Sequence, residues 1–201
     1  SAGQGWFSPN NSRNIKSNLV TGTASQWLKK YYDGAENALP KHGDFYRTST
    51  ISNFYPHRTA GNNIPMVLGT HDLGAYYSIQ NGNVFKFTRS LGDARAVVNS
   101  VIGEGDGRTT LLNLLGVKYI FAKTDILKNP QTIPYGFDFV RNQAGNIVDY
   151  PEQPVSGLSN HSGTILLESD LALPLAYTQV HAISDVNYNN MSKLQKEQAL
   201  L

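Results

Sequence analysis

From Leu111 to Lys123 the chain reads Leu-Leu-Asn-Leu-Leu-Gly-Val-Lys-Tyr-Ile-Phe-Ala-Lys, and its apolar positions change period at the glycine. Before Gly116 the leucines cluster as in a turn or two of helix; after it, β-branched and aromatic residues follow at once, as in a strand. The pattern predicts a helix capped by Asp106 or Thr109, ended by Gly116, and a strand over 117–122. Both segments are expected in the core, with Leu115 and Ile120 among the core residues. Other elements follow from spacing in the same way. Trp27, Leu28, Tyr31 and Tyr32 share one face of a short helix that Ser25 caps and Gly34 stops. Residues 45–51 alternate as a strand, and Pro65 suits the first turn of a helix running to about His71. Asn81 caps a helix in which Val84, Phe87, Thr88 and Leu91 face one way, and Gly92 stops it. Residues 76–79 and 94–102 fit either period.

The second half reads mainly as strands. Residues 137–141 and 147–150 flank Asn142-Gln-Ala-Gly-Asn146 as a hairpin with a longer loop, and 164–168 and 176–182 are two further strands. Ser192-Lys-Leu-Gln195 is a capping box opening a terminal helix that runs to the end of the chain. Residues 1–22 are rich in Ser, Asn and Gly and form an irregular lead-in; residues 23–201 form one domain. Helices crowd the first half and strands the second, without βαβ alternation. The class is therefore α+β, a mixed β-sheet with packed helices.

Composition narrows the setting. Charged residues make up only 16% of the chain, against about 25% in ordinary soluble proteins. Polarity comes from Asn, Ser, Thr, Gln and Tyr instead, as on many exported proteins. Seventeen basic and fifteen acidic residues leave a net charge of +2, which creates no field that would hold nucleic acid. Cysteine is absent, which removes disulfides, thiol nucleophiles and Cys-based metal sites and fits an exported domain of a Gram-positive bacterium. No apolar run reaches the roughly 18 residues of a membrane span, and the opening residues do not read as a secretory leader. A segment lying between membrane spans has this character; so has an ordinary soluble protein.

Candidate chemistry is sparse. Gly103-Glu-Gly-Asp-Gly-Arg-Thr-Thr110 lacks P-loop spacing, and Glu104 and Asp106 would repel phosphate, so it reads as a turn before a helix. No two of the five histidines stand three or four apart, so no helical metal pair can be drawn, and no metal or cofactor is expected. No Gly-x-Ser-x-Gly elbow occurs. Eleven Tyr and two Trp supply ring faces suited to sugars. The densest polar-aromatic zone runs from Tyr46 to Tyr77, and within it Arg47, Asn62, Asn63, His71, Asp72 and Tyr76 are the candidate substrate-binding residues. The competing reading buries most of these rings and leaves their hydroxyls at the surface.

Six short pieces carry a family resemblance. They are Asp44-Phe-Tyr-Arg47; Asn62-Asn63 with Gly69 after it; Tyr76-Tyr-Ser-Ile79; Phe87 to Gly92; Leu114-Leu-Gly-Val-Lys-Tyr-Ile120; and Leu173-Pro-Leu-Ala-Tyr177. In this order and spacing they resemble the extracytoplasmic part of the bacterial membrane proteins named YfhO. Ile79 and Gln80 depart from the family's loose glycine-serine pattern. The resemblance implies a multi-span glycosyltransferase of the lipid-linked-sugar type, moving a sugar from a polyprenyl phosphate to an envelope polymer such as lipoteichoic acid. It implies that the catalytic acid sits between early membrane spans, so that this segment is inactive alone and helps to bind the acceptor. Its partners would be those spans, the sugar donor and the envelope glycopolymer, at the outer face of the cell membrane. Within this segment Asp72 is the first acid to test. Two other readings stand beside it: a non-catalytic envelope-glycan binding module, and a free-standing secreted hydrolase.

Overall fold

A computed structural model describes residues 31–51, 64–76, 81–92, 101–102, 107–150 and 163–200. The expected lead-in over 1–22, the Ser25 cap, and Asn62 and Asn63 lie outside these residues. In chain order the described elements are a 3₁₀ turn at Ala35–Ala38, β1 (Arg47–Thr50), α1 (Ile64–Leu68), β2 (Ala75–Tyr76) and α2 (Gly82–Ser90). There follow β3 (Val101–Ile102), α3 (Thr109–Leu114), β4 (Val117–Lys123), β5 (Phe137–Phe139), β6 (Asp149–Tyr150), β7 (Thr164–Ser169), α4 (Asp185–Asn190) and α5 (Lys193–Gln198). Two 3₁₀ segments, Thr124–Lys128 and Pro130–Thr132, connect β4 to β5. The mixed sheet and its packed helices give the α+β class that the sequence predicts.

The main sheet has the order β1-β4-β7-β5, with β6 also on β7. β1 runs parallel to β4, whereas β7 is antiparallel to β4, β5 and β6. β4 and β7 are the central pair because their residues are apolar on both faces, the signature of a strand covered on two sides. On one face Tyr119, Phe121 and Leu166 pack against Tyr31, Tyr32, Ala35 and Leu39. There the Tyr32 ring stacks on Phe121 with centroids 3.8 Å apart and planes 10° from parallel. On the other face Ile120, Ala122, Ile165 and Leu167 pack against Leu112 of α3, Ile126 and Phe137. Each fully buried Leu, Ile or Phe contributes about 1.5–3 kcal/mol, so the two faces together hold the domain.

Helix ends follow their local chemistry. Asn81 caps α2, its side chain accepting from the Asn83 N–H, and Thr88 and Leu91 of the predicted face are buried. Ser192 and Gln195 form the capping box of α5. That helix stops at Gln198 rather than continuing to the end, and the sequence reading missed α4, which Ser184 caps. α3 begins differently from expectation: Arg108 is its N-cap, and the Thr109 hydroxyl donates to the Tyr135 carbonyl instead. Arg108 spends its guanidinium on Glu197 of α5 and on the Leu91 carbonyl, which fastens the last helix beside the first half of the chain.

Two expectations are corrected. The strand over 176–182 is absent: residues 171–184 contain no helix or strand. Its alternating apolar residues cannot pair with the strand that precedes them, because β7 is already paired with β4 on one side and with β5 and β6 on the other. The hairpin arms meet as expected around the 142–146 loop, at the antiparallel Arg141–Ile147 bridge and through the Val148 N–H to the Val140 carbonyl, and both also pair with β7. Leu115 is half-buried rather than core, because it caps α3 at the turn; Leu112, one helical turn earlier, is the buried leucine.

Candidate functional site

Two stretches of backbone define a cleft beside β1. The first is the run from Glu36 to Tyr46, which leaves the core at Leu39 and returns as β1. The second is the end of α1, where Gly69 turns at φ 74° and lets the chain double back along the outer edge of the sheet. The Thr48 N–H donates to the His71 carbonyl, and the Leu73 N–H donates to the Thr48 carbonyl, so residues 71–73 cover that edge. The space between the two stretches is a cleft of about 490 Å³, within the range of roughly 300–1,000 Å³ typical of small-molecule sites.

The walls are mixed in character. Leu39 and Leu68 are apolar, while Thr48 and Thr70 add buried hydroxyls. The Thr70 hydroxyl donates to the Pro65 carbonyl. Tyr46 closes one side, donating its hydroxyl to the Pro40 carbonyl at 2.6 Å, and its burial raises its pKa. At the mouth the Phe45 and His71 rings lie 4.8 Å apart, and Phe45 is 43% exposed. Lys41, His42 and Asp44 complete the rim. Glu36 is the acid inside. One of its carboxylate oxygens, Oε2, is buried and accepts no hydrogen bond from the described residues. Burial raises the Glu36 pKa; the backbone N–H of Glu36 opposes this, the nearby Asp33 charge adds to it, and the Gly34 N–H opposes it.

The candidate residues separate on this frame. His71 lines the cleft. Arg47 stands beside it but turns inward: Nη1 donates to the Leu115 carbonyl at 2.6 Å, and the guanidinium lies 5.7 Å from the Phe45 ring centre. Asp72 holds a turn, accepting from the Gly74 N–H at 2.7 Å and from the Thr48 hydroxyl at 3.5 Å. Tyr76 belongs to β2, opposite Val101 of β3, in a separate two-stranded sheet. The sequence reading missed Glu36, an isolated acid in a short segment without a motif. Phe45 was visible only in the 45–51 strand and as part of Asp44-Phe-Tyr-Arg47.

The described residues contain no group of three His, Asp or Glu placed to hold a metal ion. Among them no helix is long and apolar enough to cross a membrane. The cleft is thus a small polar-aromatic site at the sheet edge of an α+β domain. The chain belongs to the family described as bacterial membrane protein YfhO, whose model matches residues 2–201. No curated protein and no solved structure matches it.

Proposed function

We propose that this chain is an extracytoplasmic domain of a multi-span glycosyltransferase, and that its cleft holds the acceptor. The transfer would move a sugar from a polyprenyl-phosphate donor to a cell-envelope polymer such as lipoteichoic acid, at the outer face of the membrane. Membership of a bacterial membrane-protein family supports a membrane setting. The observation that carries the acceptor role is the cleft, whose lining combines the exposed Phe45–His71 ring pair with buried hydroxyls and a carboxyl group. Sugars and polyols are bound by such combinations, an apolar ring face meeting their C–H groups and a few fixed polar atoms meeting their hydroxyls. In this reading the acid that orients the attacking hydroxyl lies on a loop between membrane spans, and this domain supplies position rather than chemistry.

The test uses the full-length protein in a Gram-positive cell lacking its own copy. Phe45→Ala with His71→Ala should lower the sugar content of the polymer at least five-fold at unchanged protein level. Full sugar content at normal protein level would remove the cleft from the function.

A further inference from the structure

Glu36 is the one acid of the cleft wall with a buried oxygen that accepts nothing from the described residues. Its neighbours explain why no internal partner reaches it. Asn37 points away, its amide donating to the Gly34 carbonyl. The Thr70 hydroxyl is directed to the Pro65 carbonyl, and the Tyr46 hydroxyl to the Pro40 carbonyl. The Thr48 hydroxyl goes to the Asp72 carboxylate, so each threonine and tyrosine hydroxyl of the wall is committed to another acceptor, and the glutamate is left with spare accepting capacity. A buried acceptor in that condition calls for a donor. Glu36 lines the cleft, and the terminal torsion of a glutamate is broad and two-fold, so its carboxyl is free to reorient toward a donor bound there.

The charge around it selects the donor. Glu36 and Asp44 share the lining with Lys41, His42 and His71. Signs are mixed, and the innermost charge is an acid, so a phosphate gains no concentrated positive field there. A neutral hydroxyl gives Glu36 its proton donor without repulsion, and Phe45 offers the adjoining ring face. We propose that Glu36 is the specificity-determining residue of the cleft, accepting a hydrogen bond from a hydroxyl of a neutral sugar ring that stacks on Phe45. The inference rests on the reading of the cleft as a glycan site and adds to it: the ligand is recognised through sugar hydroxyls rather than polymer phosphate. The raised Glu36 pKa agrees, since the carboxyl sits where its charge is poorly solvated.

The experiment follows the Glu36 side-chain carboxyl and the Phe45 ring by NMR in the 201-residue chain. Probes are glucose, N-acetylglucosamine, glycerol and inorganic phosphate. At least one sugar should shift both resonances, with phosphate shifting neither. Glu36→Ala should weaken that sugar's binding at least ten-fold and Glu36→Gln by no more than three-fold, because the amide oxygen still accepts. Phe45→Ala, at the exposed mouth, should also weaken it, and melting curves confirm that each variant is folded. Equal sugar binding by the parent and Glu36→Ala overturns the role of Glu36 while leaving the glycan cleft standing. Cleft shifts with phosphate alone, or with no probe, overturn the inference and the glycan reading together.

Discussion

The Lys123 ammonium lies 3.0 Å from the Asp33 carboxylate, with side-chain exposures of 9% and 1%. Thr164 joins them, its hydroxyl donating to the same Asp33 oxygen at 2.6 Å and accepting from Lys123 at 3.1 Å. The pair ties the segment before Gly34 to the ends of the two central strands. Asp33 holds φ 56°, a left-handed conformation open to Asp and Asn among side-chain residues. Lys123→Met should therefore cost about 3–5 kcal/mol, because it strands a buried carboxylate. Adding Asp33→Asn should recover most of that loss, since Asn keeps the backbone conformation and removes the charge. Urea denaturation of the single and double variants checks this; a single variant within 1 kcal/mol of the parent contradicts it.

Gly116 turns from α3 into β4 at φ 71°, and a Cβ there would stand 3.0 Å from the Leu173 carbonyl oxygen. The Leu173 N–H donates to the Asn113 carbonyl, and the Ser169 hydroxyl to the Asn113 side chain. Two of the runs in the family resemblance therefore meet at one turn. Gly145→Ala, at φ 81° in open space, should cost about 1–2 kcal/mol from backbone strain alone. Gly116→Ala should cost more, because Leu173 must also move. Equal losses in chemical denaturation would show that the contact carries no energy.

Ile120 is 2% exposed at the centre of β4, between β1 and β7. Ile120→Ala should cost about 2–5 kcal/mol. Leu115→Ala should cost less, because its side chain is half-buried and its backbone carbonyl, not its side chain, receives Arg47. Reversed losses in the two melts would contradict the burial order.

Glu36 gives a pH signature. Its pKa in the folded chain is raised above 4.5, chiefly by burial. The folded state thus holds this proton more tightly than the unfolded state between 4.5 and the raised value. The contribution is present below 4.5 and is lost as pH rises through the folded pKa. Glu36→Gln should therefore raise the melting temperature at pH 7, with the gain disappearing as the pH falls below the ordinary glutamate range. A gain that grows on acidification would reverse the assigned sign.

The fold was legible where one local signal acted alone. Gly116, Asn81 and the Ser192–Gln195 box each set a boundary through a single cap or turn, and β4 announced its burial by apolar residues on both faces. Legibility failed where the outcome depended on distant partners. The segment 176–182 has a strand's alternation, yet the edges of β7 were filled by residues far away in sequence. The site divided in the same way. His71 was visible in the polar-aromatic zone. Arg47 and Asp72 looked equally suitable there, but the structure commits them to the Leu115 carbonyl and the Gly74 N–H. Glu36 carried no signal, since its orphan oxygen arises only when the chain returns beside it.

In the proposed function the cleft receives envelope glycopolymer. Calorimetric titration of purified lipoteichoic acid into the 201-residue chain tests it most directly, with Phe45→Ala as the cleft variant and Val180→Ala, 92% exposed and outside the cleft lining, as the control. Saturable binding by the parent and the control is expected, weakened at least ten-fold by Phe45→Ala. No binding, or equal binding by all three, would contradict it.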